Sequence, residues 1–552
     1  AWADDSTPTA DSQTETQQEQ TVEEVPEQEV TPAKEEQNVG SEASLEDNAS
    51  SLPSEEEKED EDSSTSDSKE QENANSSVSE EETKENTEEL IDTDQLEATT
   101  FAVEDESAST KGNVSSPVKR GENEYDSLSA ALAVVGTEPV TIDFTGDVYE
   151  ENQIKFDGNK QVTLNLNGHT LHATRGAGSS GTETSGMQLI NGCKVTINNG
   201  TLTSDVALSG WMIKNYCNLT MNNVTVDAGN FAEGGINHCG AVLTLNNCIM
   251  TNVKNGKYAV QCGNYHTADT VTIIDGGTYS GVANETGYWN SDGGNVKNDI
   301  KTTIRSATVD KIGTVPYAPF YDQSVMTVES TAKVGSVEGY KARVETEGAV
   351  HYYSSLESAF AAAADGQTIT LLAEADDVGK LVLSDGRTIT VNLNGHDVAF
   401  KQNGHFEVRH GTLNLEGAGT AYEKQPYFAP VMLYGTTANE ENYSVVNVGK
   451  DVTLRGWSSV FVDKNGNYAN GVVANVAGTL QSVKDATDAY GHAVYVQGSI
   501  TNEDDTYAPQ IHLLSTARIE AVDEEDSTKG SNGMYLAGYA VTTIDEGASI
   551  QS

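Results

Sequence analysis

Cys193, Cys217, Cys239 and Cys262 follow one another at intervals of 24, 22 and 23 residues, each ahead of a similar Val/Thr/Leu/Asn run. Thiols can bridge or attack, but a period in the low twenties reads as one cysteine per coil of a solenoid. Stacked parallel strands lie ~4.8 Å apart, inside the range for a disulfide, yet their side chains run parallel where a bridge needs them to converge. The expectation is a column of reduced, buried cysteines acting as small apolar groups. Cys248 falls outside that column, and His238 beside Cys239 alternates faces with it, so no catalytic pair forms there.

Other reactive groups are sparse. His405 and His410 flank Glu407 and Arg409, but strand alternation sends the two imidazoles to opposite sides, which excludes a shared metal. Asp463-Lys-Asn465-Gly-Asn467 resembles the start of a Ca²⁺ loop, yet its Gly is misplaced and no Glu closes it, so it reads as a tight corner. No Ser lies in a nucleophile elbow. Two excursions carry aromatics: residues 282–300 with Tyr288, Trp289, Asn290 and Asp292, and residues 422–443 with Tyr427, Phe428 and Tyr434. Rings beside amides and carboxylates suit sugars, and irregular loops on a solenoid serve recognition. The competing reading is that the rings fold back over the strands.

The elements that would position these groups repeat. Asp126 or Ser127 caps a short helix whose Leu128, Ala131 and Leu132 share a face; Ser354 or Ser355 caps another with Leu356, Ala359 and Phe360. Each helix is followed by period-2 strands such as Val162-Thr-Leu-Asn-Leu-Asn-Gly and Ile389-Thr-Val-Asn-Leu-Asn-Gly, with aliphatic residues inward. Leu128 matches Leu356 at an offset of 228, and Gly168 matches Gly395 at 227. Two modules therefore follow one another, 119–345 and 346–552, each closed at its start by a helix that covers an apolar end. Asn199, Asn223 and Asn247 recur at steps of 24 where strands end in corners, because Asn tolerates left-handed backbone and stacks by hydrogen bonding.

Ahead of these modules, residues 1–118 form an acidic Ser/Thr/Glu-rich region. The first 110 residues hold 36 Asp plus Glu and 4 Lys, so −32 of the net −54 sits in one fifth of the 552-residue chain. Such a segment cannot bury enough apolar area to offset its entropy and is expected to be disordered. That charge excludes nucleic acid and anionic membranes as partners. No apolar run approaches the ~20 residues of a membrane span. Ala1-Trp2-Ala3 before acidic sequence reads as the tail of a signal peptide, hence secretion.

The order helix, strand, then Leu164-Asn-Leu-Asn-Gly-His-Thr-Leu or Val391-Asn-Leu-Asn-Gly-His-Asp-Val resembles right-handed parallel β-helix proteins of the pectin-lyase-like fold. More narrowly, it resembles tandem β-helix modules of secreted or wall-attached surface proteins of Gram-positive bacteria, over about residues 120–552. The resemblance implies an all-β solenoid, secreted or displayed at the cell surface. Hydrolases of this fold use Asp residues on adjacent rungs with Gly-His-Gly and Arg-x-Lys; here Gly404-His405-Phe406 and Gly491-His492-Ala493 lack the second Gly, and the Asp-Asp pairs at 376 and 504 lie off the rungs. Lyases of the fold need a basic residue beside Ca²⁺-binding Asp, whereas Arg175, Arg305, Arg409 and Arg455 lie on unrelated phases. The expectation is a non-enzymatic adhesin or structural protein with no cofactor or metal, binding a glycan or host glycoprotein. The alternative is a polysaccharide lyase or glycoside hydrolase acting on acidic polysaccharide. Module two ends partway through a rung at Thr543–Ser552, which reads as a truncated module.

Overall fold

The computed structural model describes residues 116–263, 269–286, 299–316, 324–423, 425, 428–483, 491–498, 506–521 and 532–551. The acidic region up to residue 115, and Tyr288, Trp289, Asn290, Asp292 and Tyr427, lie outside the described residues. What is described is a parallel β-helix, in which three strands make one coil and successive coils pair in register. On the first sheet Val162 pairs with Val195, Val195 with Leu219 and Leu219 with Leu243. The same ladder continues at the other end of the chain, where Leu413 pairs with Val446 and Val446 with Ala474.

Alternation dictates the interior. Leu164, Ile197, Met221, Leu245 and Ile274 are fully buried, while the Thr and Asn between them are half-buried or exposed. Buried apolar residues fall into two large clusters, Val118–Tyr340 and Ala342–Ile519, called here the first and second stacks. Between them the parallel ladder gives way to antiparallel pairing: Ala349–Tyr353 pairs with Ser324–Glu329 on one side and Ala342–Thr346 on the other. Helices α1 (Leu128–Ala133) and α2 (Leu356–Ala362) are capped by Ser127 and Ser355, whose hydroxyls accept from the backbone N–H groups of Ala130 and Ser358. Leu128, Ala131 and Leu132, and Leu356, Ala359 and Phe360, are buried against the ends of the respective stacks.

The corners differ between stacks. In the first, Asn199, Asn223 and Asn247 take φ of 53°, 52° and 52°, and Asn223 Nδ2 donates to Asn199 Oδ1 at 3.1 Å. The strands do not end at these residues; Lys194–Ser204, Asn218–Asp227 and Ala241–Thr251 bend through them. One left-handed residue turns the chain without losing the flanking ladder. A second row, one residue earlier, runs from Asp143 through Asn165, Asn198 and Asn222 to Asn246, with donor–acceptor distances of 2.7–2.9 Å. Its counterpart in the second stack joins Thr390, Asn414, Asn447, Asn475 and His512.

All five cysteines are buried and unbridged. They do not form one column. Cys193 and Cys217 each precede the paired residues Lys194 and Asn218, but Cys239 falls one residue earlier in the rung and Cys262 one earlier again, opposite His238. Loops of 22 and 23 residues, against the 24 of the previous coil, move the thiol back by one position at each step.

Candidate functional site

The third sheet of the second stack gathers the polar and aromatic groups that the sequence scattered. Its strands are Leu381–Leu383, Phe406–Val408, Val431–Tyr434, Ser458–Asp463, His492–Gln497 and Asn532–Ala537. Phe406, Val431, Val460 and Val494 pair in register and point inward. The outward row between the two inner columns is therefore Val382, Glu407, Met432, Phe461, Tyr495 and Tyr535. Glu407, Met432 and Phe461 are buried although they face out of the solenoid, whereas Tyr535 is 44% exposed. Ala429 and Trp457, which precede the strands, fold over this face and form a separate apolar cluster with Met432 and Phe461. Phe428 packs partly buried against that cluster, with its ring centroid 5.7 Å from that of His405. Phe461 stacks on Tyr495 at 4.7 Å, and Tyr495 on Tyr535 at 5.0 Å.

At one end of the row sits an ionic centre. Glu407 Oε2 lies 2.9 Å from Lys380 Nζ and 3.2 Å from His405 Nε2, and Oε1 lies 2.5 Å from Arg409 Nε. Burial pushes this carboxyl up, but hydrogen bonds from Lys380, Arg409 and His405 outweigh it and hold the pKa at about 2. Burial lowers the pKa of His405, so near neutral pH its Nε2–H donates to Glu407 and Nδ1 keeps the lone pair, buried and without a hydrogen-bond partner. The Arg409 guanidinium lies 4.5 Å from the centroid of Tyr434, whose partner in the next strand is Asp463. Burial raises the pKa of Asp463.

This arrangement is made to bind. Glu407 is ionised across the physiological range and both its oxygens are engaged, so it neither delivers nor collects a proton readily. What faces solvent is Lys380 and Arg409, with side chains 44% and 52% exposed, beside Tyr434 and Asp463. Those groups offer cationic donors, a ring and an acceptor within one patch. His410 turns away to stack on Tyr443 at 4.6 Å. At the Ca²⁺-like segment, Asn465 and Tyr468 exchange backbone hydrogen bonds across Gly466 (φ 62°), a tight turn. Among the described residues no group of three or more His, Cys, Asp or Glu is placed to hold a metal. Comparison with protein-family models, curated proteins and solved structures gives no match to this chain.

Sequence reasoning weighed His405, Glu407 and Arg409, and separately Tyr427 and Phe428, without joining them. The join lies in register: Gly404-His405 and Gly491-His492 both open strands of the third sheet. His492 contacts the rings of Trp457, Tyr495 and Tyr535.

Proposed function

We propose that the chain is a secreted or surface-displayed, non-enzymatic β-helix protein that binds glycans or glycoproteins through the outer face of this third sheet. One observation carries the reading: Arg409 is half-exposed over Tyr434, braced by a buried, permanently ionised Glu407 that also holds Lys380. Sugar hydroxyls and carboxylates suit the fixed cations, and the apolar faces of sugar rings suit the aromatic surround. A rigid solenoid adds preorganisation, which lowers the entropic cost of binding. The acidic start after Ala1-Trp2-Ala3 and the resemblance to Gram-positive surface modules support secretion.

The test is binding of the wild-type chain, Arg409→Ala and Lys380→Ala to a glycan and glycoprotein array, with circular dichroism as the folding control. Each variant is expected to lose about tenfold or more in affinity while staying folded. Undiminished binding by both folded variants moves the site to the Tyr288–Trp289 segment, where Trp289→Ala becomes the deciding variant. A second reading, cleavage of acidic polysaccharide, is favoured by one fact: Glu407 is held low while Asp463 is pushed up, on the same face with Arg409 beside both. Release of reducing ends or unsaturated uronate on incubation with polygalacturonate selects that reading over binding alone.

A further inference from the structure

The equivalent outward row in the first stack carries Lys155, Gln188, Lys214, Asn237 and Gln261 in register. Lys214 and Asn237 are direct partners on adjacent coils, and Lys214 Nζ lies 2.5 Å from Asn237 Oδ1. A carbonyl bond of ~1.23 Å then places Asn237 Cγ no farther than about 3.7 Å from that nitrogen. Reacting atoms ~3–3.5 Å apart are poised for attack, so a small adjustment of the Lys214 side chain suffices. The thiol of Cys239 donates to the same Oδ1 at 3.0 Å, and burial pushes its pKa to about 12, so it remains a donor. Asn237 and Cys239 are buried, and Lys214 is half-buried over them. On the far side, Asn237 Nδ2 points to the carbonyl of Gln261 at 3.5 Å, and Gln261 in turn donates to buried Glu285 at 2.7 Å.

The geometry points to an intramolecular amide bond between Lys214 and Asn237, formed by the protein on itself. The unprotonated Lys214 amine attacks Cγ and the Nζ–Cγ bond forms, with negative charge on Oδ1 stabilised by the Cys239 thiol. The Cγ–Nδ2 bond then breaks, and the proton shed by Nζ leaves with Nδ2 as ammonia. Amine plus carboxamide gives substituted amide plus ammonia, and neither oxidant nor metal is consumed. Lysine is mostly protonated at neutral pH, so the step is slow. Loss of ammonia makes it irreversible in dilute solution, so the product accumulates. The bond would tie two adjacent coils covalently where the ladder already holds them in register.

Intact-mass measurement of the purified full-length chain, fresh and after days at pH 9, tests this. The expected result is a species about 17 Da below the sequence mass, growing with time and faster at the higher pH. Fragmentation after proteolysis should join the peptide containing Lys214 to the one containing Asn237. Lys214→Arg and Asn237→Ala should each lack that joined peptide. A wild-type chain that keeps its full mass at pH 9 overturns the proposal, as does a 17 Da loss that fragmentation places elsewhere, such as an Asn-Gly succinimide.

Discussion

The two third sheets are built alike inside and differently outside. In the first stack the inward columns are Met187, Ile213, Ile236, Val260 and Val282, and the outward row between them is Lys and amide. In the second stack the inward columns are again aliphatic, but the outward row changes from Glu407 to Met432, Phe461 and Tyr495. Coil length accompanies the change. Successive coils in the first stack advance by 26, 23, 24 and 22 residues along this column. In the second they advance by 25, 29, 34 and 40, from Phe406 to Val431, Val460, Val494 and Met534. The added residues include Phe428 and Trp457, which cover the outer face and let it become apolar. A solenoid therefore holds its interior fixed by alternation while loop length and one residue per coil set the chemistry of its exterior.

The largest effects should come from the shared interior. Leu166 and Leu393 occupy matching, fully buried positions just past the first-sheet strands of their stacks. Aspartate at either site buries an unpaired charge, at a cost above the ~3–5 kcal/mol seen when a buried ion pair is broken. If the stacks fold as separate units, Leu166→Asp strips amide protection from residues 118–340 alone and Leu393→Asp from residues 342–519 alone. Hydrogen exchange resolves the two cases, and joint loss of protection means that the comparison describes one cooperative solenoid.

Acid should separate the two faces next. His238 in the first stack is fully buried, with Nδ1 accepting from Asn215 Nδ2 at 2.8 Å and Nε2–H donating to the Val271 carbonyl at 3.2 Å. Burial lowers its pKa to about 4. Because the folded pKa lies below the unfolded value of ~6.5, the stability tied to neutral His238 is fully present above pH ~6.5. It is lost as pH falls through about 4, and amounts to about 3 kcal/mol. Glu407 acts in a lower window: its folded pKa of about 2 lies below the unfolded ~4.3, so its contribution is present above pH ~4.3 and lost on the way to 2. About 2 kcal/mol is expected there, since half-exposed Lys380 and Arg409 are screened by solvent. His405 and His492, both lowered by burial, add to the second stack's loss below pH ~6.5. Calorimetry against pH on wild type, His238→Gln and Glu407→Gln checks this. His238→Gln should flatten the slope between pH 6.5 and 4, and Glu407→Gln the slope below 4.3.

How much of this could be read from residues alone follows from the same contrast. Alternation and the helix caps are local, so the rungs, Ser127, Ser355 and the buried faces of both helices were legible. Constant loop length made the first-stack cysteines and asparagines visible as a period, although shortening by one or two residues shifted Cys239 and Cys262 out of the column. The Asn165–Asn246 row went unread because its members sit beside the corner residues and look like ordinary outward strand positions. The second-stack face was not legible as a unit. Intervals growing from 25 to 40 residues erase any period, so Glu407 and Phe461 become neighbours in one row only after the register is known.

The smallest expected effect probes the corners. The bent first-stack strands depend on one left-handed residue each, and Asn223 (φ 52°) sits between Asn199 and the equivalent Asn247. Alanine there meets the Cβ–carbonyl clash of left-handed backbone, costing roughly 1–2 kcal/mol, and also removes the hydrogen bond to Asn199. Glycine removes the same hydrogen bond but adopts this φ freely, so Asn223→Gly should cost only some tenths of a kcal/mol more than its added chain entropy. The ordering Ala worse than Gly, read from denaturant midpoints at constant m-value, identifies backbone conformation as the reason for asparagine. The reverse ordering would assign the corner to the side-chain ladder instead. The second stack offers the control: its chain breaks between Gly411–Glu416 and Gly419–Glu423, with Gly417 at φ 74°, so a glycine already does there what Asn223 does in the first.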